Sequence, residues 1–227
     1  MNITFHRFGS QALLIQWEQR IDRDINAAVV RLAKEIEQAK IPGITYCLPA
    51  YCSLTVGYRS PMITYDLLCR EIEALISAQR TLTSTMPSPR QITIPVCYEG
   101  PCAPDLEWLS EHTGLDCEQI ISLHTSTPFH VYLIGFLPGF PYLATLPSVL
   151  HAPRKETPRL RVPAGSVALA GLQTGIYPLE SPGGWQIIGR TPVRLFDPKR
   201  ESPFYLQTGD EVRFEAIGWD AFQHASD

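Results

Sequence analysis

The sequence lacks the features by which several large classes of protein are recognised. No run approaches the roughly 18 consecutive apolar residues that a membrane-spanning helix needs. The N-terminal residues have neither a basic cluster nor an apolar stretch long enough for a secretory signal peptide. Lys and Arg number 19 against 23 Asp and Glu, without any block of like charges, so a nucleic-acid-binding surface is not indicated. We therefore expect a cytoplasmic protein that binds neither membranes nor nucleic acid.

Cysteine is also scarce, because six in 227 residues are too few for a disulfide-stabilised scaffold. Cys47 and Cys52 are separated by four residues, as are Cys97 and Cys102, so a four-thiolate zinc site is one alternative. Structural zinc sites favour tight turns with glycine or polar residues, whereas the first pair lies in an apolar stretch. We expect free, buried thiols and no metal site.

The apolar content of 44% is sufficient for one large or two small hydrophobic cores. Residues 1–85 predict an N-terminal α/β domain with the order ββαββα. Residues 3–8 and 12–17 are predicted to form strands. Asp22 is predicted to cap a first helix, and Ser60-Pro61 to begin a second one. Both helices have one apolar stripe. The prediction is a two-layer arrangement with both helices on one face of a sheet.

Residues 86–227 predict a second domain that is mostly β. The Ser-, Thr- and Pro-rich segment 81–90 marks the boundary. After one strand, two short helices are expected, the second capped by Asp116 with Gln119 in capping-box spacing. Ten of the 20 prolines then fall between residues 138 and 198, which favours short strands and a β-barrel or sandwich. The segment 204–217 predicts a hairpin that turns at residues 208–210.

Three segments contain more than a hydrophobic core requires. GFLPGFPYL (135–143) places aromatic rings on a rigid backbone. Arg159 and Arg161 alternate with apolar residues, so both guanidinium groups share one face of an extended strand and suit an anion, although two solvated arginines are the simpler alternative. Residues 150–200 contain eight basic residues but only three acidic ones. This local excess of positive charge favours an anionic ligand or an acidic partner. In SPGGW (181–185), two glycines allow a ligand to approach the backbone closely.

His124 lies at the end of the capped helix, just before the strand that leads to GFLPGF. It is either a helix C-terminal cap or a general acid or base, since imidazole titrates near neutral pH. The chain has no phosphate-binding loop and no complete nucleophile–base motif. A catalytic function of this chain by itself is therefore not indicated.

The segment GFLPGFPYLATLP and the segment from residue 158 to residue 198 closely resemble the family of 5-oxoprolinase B subunits, also known as allophanate hydrolase subunit 1 and as inhibitor of a sporulation histidine kinase. The resemblance implies an α+β protein, with a small N-terminal α/β domain before a cyclophilin-like β-barrel. It also implies one subunit of an ATP-dependent 5-oxoprolinase, which converts 5-oxo-L-proline to L-glutamate only together with its A and C subunits. ATP would serve the complex, since no nucleotide site is identified in this chain.

The same resemblance carries over candidate site residues onto this sequence. Those of polar or catalytic character are His124, Arg159, Gln173, Tyr177 and Arg190. Those expected to contact the substrate are Phe136, Phe140, Ser181, Gly183, Gly184 and Trp185. Two alternative functions remain open: a non-catalytic inhibitor of a histidine kinase, and a hydrolase subunit of allophanate or urea metabolism.

Overall fold

The computed structural model describes residues 3–79 and 88–226. The chain divides into two compact units, residues 1–88 and residues 89–227. Most of the predicted boundary segment 81–90 lies outside the described residues. Within the described part of the chain, no helix combines the length and apolarity needed to cross a membrane.

The N-terminal unit is a four-stranded antiparallel sheet with two helices. Its elements are β1 (Thr4–Arg7), β2 (Ala12–Gln16), α1 (Arg23–Ala39), β3 (Ile44–Pro49), β4 (Ser53–Tyr58) and α2 (Tyr65–Gln79), and the strand order is β1-β2-β4-β3. Leu13 and Val56 from the sheet share one core with Leu32 of α1 and Leu68 of α2. The predicted two-layer arrangement is therefore confirmed.

The two helices of this unit begin differently. The Asp22 carboxylate accepts the N–H groups of Asp24 and Ile25, both at 3.0 Å, which is the predicted cap of α1. The predicted start of α2 at Ser60-Pro61 is wrong. The N–H groups of Met62 and Ile63 both donate to the carbonyl of Arg59, so these residues form a turn that buries Ile63 in the core, and α2 begins only at Tyr65.

The C-terminal unit is a closed seven-stranded barrel with helices outside it. Its elements are β5 (Gln91–Cys97), α3 (Leu106–Thr113), α4 (Cys117–Ser126), β6 (Phe129–Ile134), β7 (Pro141–Ala144), β8 (Arg159–Val162), β9 (Ser166–Ala170), β10 (Gln173–Ile176), β11 (Ser181–Gly183), β12 (Gln186–Arg190), β13 (Glu211–Ile217) and α5 (Trp219–Ser226). The barrel order is β10-β7-β6-β13-β5-β12-β9, and β8 and β11 form a separate two-stranded sheet. The predicted α+β class with a C-terminal barrel is confirmed.

Two local predictions in this unit have opposite outcomes. The capping box of α4 is confirmed, since the Asp116 N–H donates to Gln119 at 3.0 Å and the Gln119 N–H donates to Asp116 at 2.7 Å. The predicted 204–217 hairpin is wrong. All seven residues of β13 pair in parallel with β5, and its first two residues also pair with β6. This position buries Val212 and Phe214 inside the barrel, which a surface hairpin would not do.

Candidate functional site

A cavity of about 450 Å³ opens on the barrel unit, between the turn that joins β6 to β7 and the β8–β11 sheet. Of the eleven candidate site residues, seven line it: Phe136, Phe140, Tyr177, Ser181, Gly183, Gly184 and Trp185. These residues come from segments far apart in the sequence. We call this cavity the aromatic pocket.

Phe140 packs against three other aromatic rings of the pocket lining. Its ring makes T-shaped contacts with Tyr177 and Trp185 at centroid distances of 5.1 and 5.5 Å, and a tilted contact with Tyr142 at 4.9 Å. Edge-to-face packing of this kind is favourable beyond the area it buries. The walls are therefore held in fixed orientations, as a preformed binding site requires.

The turn before Phe140 exposes a further ring. The Phe140 N–H donates to the Leu137 carbonyl at 3.0 Å, and the Gly135 N–H donates to the Phe140 carbonyl at 3.0 Å. Between them, Phe136 has a φ of 69°, a conformation that is unfavourable for a bulky side chain. Its ring is 65% exposed at the pocket. Strain retained at an exposed aromatic residue is typical of a ligand site.

Tyr177 and Gly183 fit together closely. A Cβ atom at position 183 would overlap the Tyr177 hydroxyl oxygen, so only glycine lets β11 cross this tyrosine. Burial raises the pKa of Tyr177, although a hydrogen bond from the Trp185 backbone N–H partly offsets this effect. The hydroxyl is therefore protonated at neutral pH and can donate a hydrogen bond to a ligand.

Arg154 is the cation of the pocket lining. Its guanidinium lies 5.9 Å from the centre of the Trp185 ring. Within residues 3–79 and 88–226, it makes no ion pair with a carboxylate, and no Asp or Glu lines the pocket. Burial raises the pKa of Tyr142, and the positive charge of Arg154 opposes that rise. The pocket thus combines apolar walls with one uncompensated positive charge.

Arg159 follows the lining residue Pro158 in the sequence, but its guanidinium binds a carboxylate of the protein itself. Its two terminal nitrogens donate to both oxygens of Asp105, at 2.8 and 2.7 Å. Lys155 adds a bond at 2.9 Å and the Ile187 N–H one at 2.7 Å. Burial works to raise the pKa of Asp105, but these four donors prevail and hold it below its usual value. Arg161 pairs separately with Glu180 at 2.8 Å, so the two arginines do not share one anion.

His124, on α4, is buried against barrel residues such as Phe214 and does not line the pocket. Its Nε2 is 3.1 Å from the Thr174 hydroxyl, which itself donates to the Ala168 carbonyl, so Nε2 carries the proton. Nδ1 then accepts from the Tyr98 hydroxyl at 2.7 Å. Complete burial lowers the pKa of His124 to about 3. This neutral, fully bonded imidazole has the geometry of a structural residue of the barrel.

Gln173 and Arg190 are also outside the pocket lining. Gln173 begins β10, opposite Ala144 and Ala170. Arg190 donates from Nε to the Ala164 carbonyl at 2.9 Å, and its guanidinium lies 5.7 Å from the Phe222 ring.

Comparisons with known proteins show which family the chain belongs to. The family model described as "Carboxyltransferase domain, subdomain C and D" matches residues 3–206, which include every residue of the aromatic pocket. The chain belongs to this family. Its sequence is 39% identical to the 5-oxoprolinase B subunit of Bacillus subtilis (strain 168), over 93% of this chain and 91% of that protein. It is 41% identical to the 5-oxoprolinase B subunit of Escherichia coli O157:H7, over 91% of this chain and 92% of that protein.

Two solved structures have the same fold as this chain. The crystal structure of TTHA0988 superposes with a TM-score of 0.81 at 37% sequence identity, over 91% of this chain. This chain spans only 40% of that longer one. The urea carboxylase of Kluyveromyces lactis superposes with a TM-score of 0.77 at 18% identity, over 98% of this chain and 22% of that enzyme, which shows the fold alone.

Sequence reasoning missed part of the lining. Leu137, Tyr142, Pro158 and Pro182 lie in or beside the segments already singled out, whereas Arg154 does not. The only signal for Arg154 was the excess of basic residues between 150 and 200. Its segment has no periodicity that would place its side chain at the pocket.

The pocket of this family member does not fit a nucleoside triphosphate. Phosphates bind where a glycine-rich loop leads into a helix N-terminus, or among several cations. Gly183 and Gly184 lead instead into strand β12, and among the described residues Arg154 is the single cation of the lining. No reaction step through ATP follows from these residues.

Proposed function

We propose that this chain is the B subunit of a 5-oxoprolinase, and that its aromatic pocket binds the substrate 5-oxo-L-proline. The observation that carries the proposal is its 39–41% identity, over more than 90% of the chain, to two proteins named as 5-oxoprolinase B subunits. The pocket supports it, since flat apolar walls beside one cation suit a small ring that bears a carboxylate.

The reaction adds one water across the carbon–nitrogen bond of the lactam ring and gives L-glutamate. In this chain, the rings of Phe140, Tyr177 and Trp185 would hold the substrate ring and exclude water from its faces. The protonated Tyr177 hydroxyl would be one hydrogen-bond donor within reach of a ligand. Positioning and electrostatic complementarity, rather than covalent chemistry, are the contributions that these residues can make.

ATP would activate the lactam elsewhere in the complex, which includes the A and C subunits. The activity therefore requires the partners. The test is glutamate release from 5-oxo-L-proline and ATP by this chain alone, by the two partner subunits, and by all three. We expect activity only in the third mixture. Release by this chain alone, unchanged by the partners, would contradict the proposal.

A pocket variant ties this activity to the site. Phe136→Ala removes an exposed ring of the pocket, and we expect the KM for 5-oxo-L-proline to rise several-fold without loss of thermal stability. The matched control is Leu160→Ala, because Leu160 is 85% exposed and does not line the pocket. Equal kinetics of the two variants would place the substrate elsewhere. The same preparations, added to an autophosphorylating sensor kinase, test the alternative that this chain is an inhibitor of a histidine kinase.

A further inference from the structure

Most of the basic residues named here between 150 and 200 form ion pairs with a carboxylate, whereas one does not. Lys155 and Arg159 share Asp105, and Arg194 and Arg200 share Asp197. Arg154 lines the pocket, and within the described residues no carboxylate pairs with it. An anion in the pocket would therefore meet a planar cation whose donors no carboxylate already occupies.

The backbone on both sides of Arg154 is fixed to the strand segment below it. The Lys155 N–H donates to the Gly184 carbonyl at 2.7 Å, and the Gln186 side chain donates to the Pro153 carbonyl at 3.0 Å. The Lys155 side chain is itself held by Asp105. Arg154 therefore extends towards Trp185 from a connecting segment whose backbone is hydrogen-bonded on both sides. The backbone that carries Arg154 is thus already ordered before a ligand binds.

From these contacts we infer that Arg154 is the carboxylate-binding residue of the aromatic pocket and restricts it to small ring acids with a single negative charge. The inference rests on the proposed function for the identity of the acid. The planar guanidinium forms a two-pronged bond to a carboxylate, and the aromatic walls hold the ring. Cations are excluded by the charge of Arg154, and neutral lactams lack the group that it binds.

The test compares two ligands that differ only in this group, 5-oxo-L-proline and its carboxamide. Binding of each to the full chain is measured by calorimetry, and kcat/KM of each with the reconstituted complex. In Arg154→Gln we expect binding and kcat/KM for the acid to fall about 10- to 100-fold, the size of a charge-assisted hydrogen bond. The values for the carboxamide are expected to stay within about twofold of the wild type.

Arg194→Gln is the matched control, because it removes the same charge from the same segment at an exposed position outside the pocket. It should leave both ligands unaffected. An equal loss for acid and carboxamide in Arg154→Gln, no loss for either, or no binding of the acid to the wild-type chain would overturn the inference. Failure of the wild-type complex to release glutamate would instead remove the proposed function. The calorimetric difference between acid and carboxamide would still decide the role of Arg154.

Discussion

At the scale of single residues, Asp105 organises the wall beside the aromatic pocket. Its carboxylate is 4% exposed, yet it accepts bonds from Arg159, Lys155 and the Ile187 backbone. One side chain therefore joins the start of α3 to β8, to β12 and to the turn that carries Arg154. The sequence predicted Arg159 as a ligand-facing residue, whereas its bidentate bond lies within the protein.

We expect Asp105→Asn to lower the free energy of unfolding by about 2–4 kcal/mol, because two partly buried cations lose their counter-charge. Urea unfolding measures it. Glu180→Gln is the control, since the Glu180–Arg161 pair is exposed and should change stability by less than about 1 kcal/mol. Similar values for the two variants would mean that Asp105 has no special structural role.

The second residue-scale prediction concerns pH. The pKa of His124 is about 3 in the folded chain, below the roughly 6.5 of an unfolded histidine. Between these values the unfolded chain binds one more proton than the folded chain. Stability is therefore complete above about pH 6.5 and falls as the pH decreases towards 3, by up to about 1.4 kcal/mol per pH unit.

Urea unfolding from pH 4.5 to pH 8 measures this slope. His124→Gln cannot titrate and should have a shallower slope, although a lower stability, since the bonds to Tyr98 and Thr174 are disturbed. Leu160→Ala, an exposed change that involves no titratable group, should retain the wild-type slope. A wild-type slope in His124→Gln would show that other groups govern the acid sensitivity.

At the scale of elements, short-range signals were predictable and long-range ones were not. The α4 capping box follows from the spacing of Asp116 and Gln119 alone, and the structure confirms it. The start of α2 was misplaced because Ser60-Pro61 also fits a turn. The predicted terminal hairpin is wrong because β13 closes the barrel between β5 and β6 instead of pairing with the residues just before it. Arg154 was missed for the same reason, since only the fold brings it to Trp185.

Strand β11 supplies the element-scale prediction. Gly183→Ala puts a methyl group against the Tyr177 hydroxyl and should destabilise the barrel unit by about 1–3 kcal/mol. Tyr177→Phe removes that oxygen and should recover part of the loss in the double variant. Gly184→Ala is the neighbouring control, because its Cβ would find its nearest atoms at 3.6 Å. Thermal unfolding of the four variants is the measurement. Equal tolerance of alanine at 183 and 184 would contradict the close fit.

At the scale of the whole molecule, each unit has a core of its own. The N-terminal core joins the sheet to α1 and α2, and the barrel core is formed by residues of the second unit. The sequence predicted two domains because the Ser-, Thr- and Pro-rich segment 81–90 has no periodicity of its own. It could not predict the strand order, since parallel pairing of β5 with β13 connects residues at opposite ends of the second unit.

We therefore expect residues 89–227, expressed without the first unit, to fold with a single cooperative urea transition. Residues 89–210 lack β13 and should not fold, because the barrel order then has a gap between β5 and β6. Circular dichroism and urea titration of both fragments test this. A cooperative transition in the shorter fragment would show that the barrel does not depend on β13.

The parallel pairing of β5 with β13 also has a consequence for the chain as it leaves the ribosome. Synthesis is directional, and domains that are complete early fold early. The N-terminal unit can fold while the rest is still being made, whereas the barrel has to wait for residues 211–217. Strand β5, with its apolar Ile94 and Val96, stays without its parallel neighbour until residues 211–217 have been made. In the nascent protein, β5 is therefore an apolar strand edge that can pair with another chain until β13 covers it.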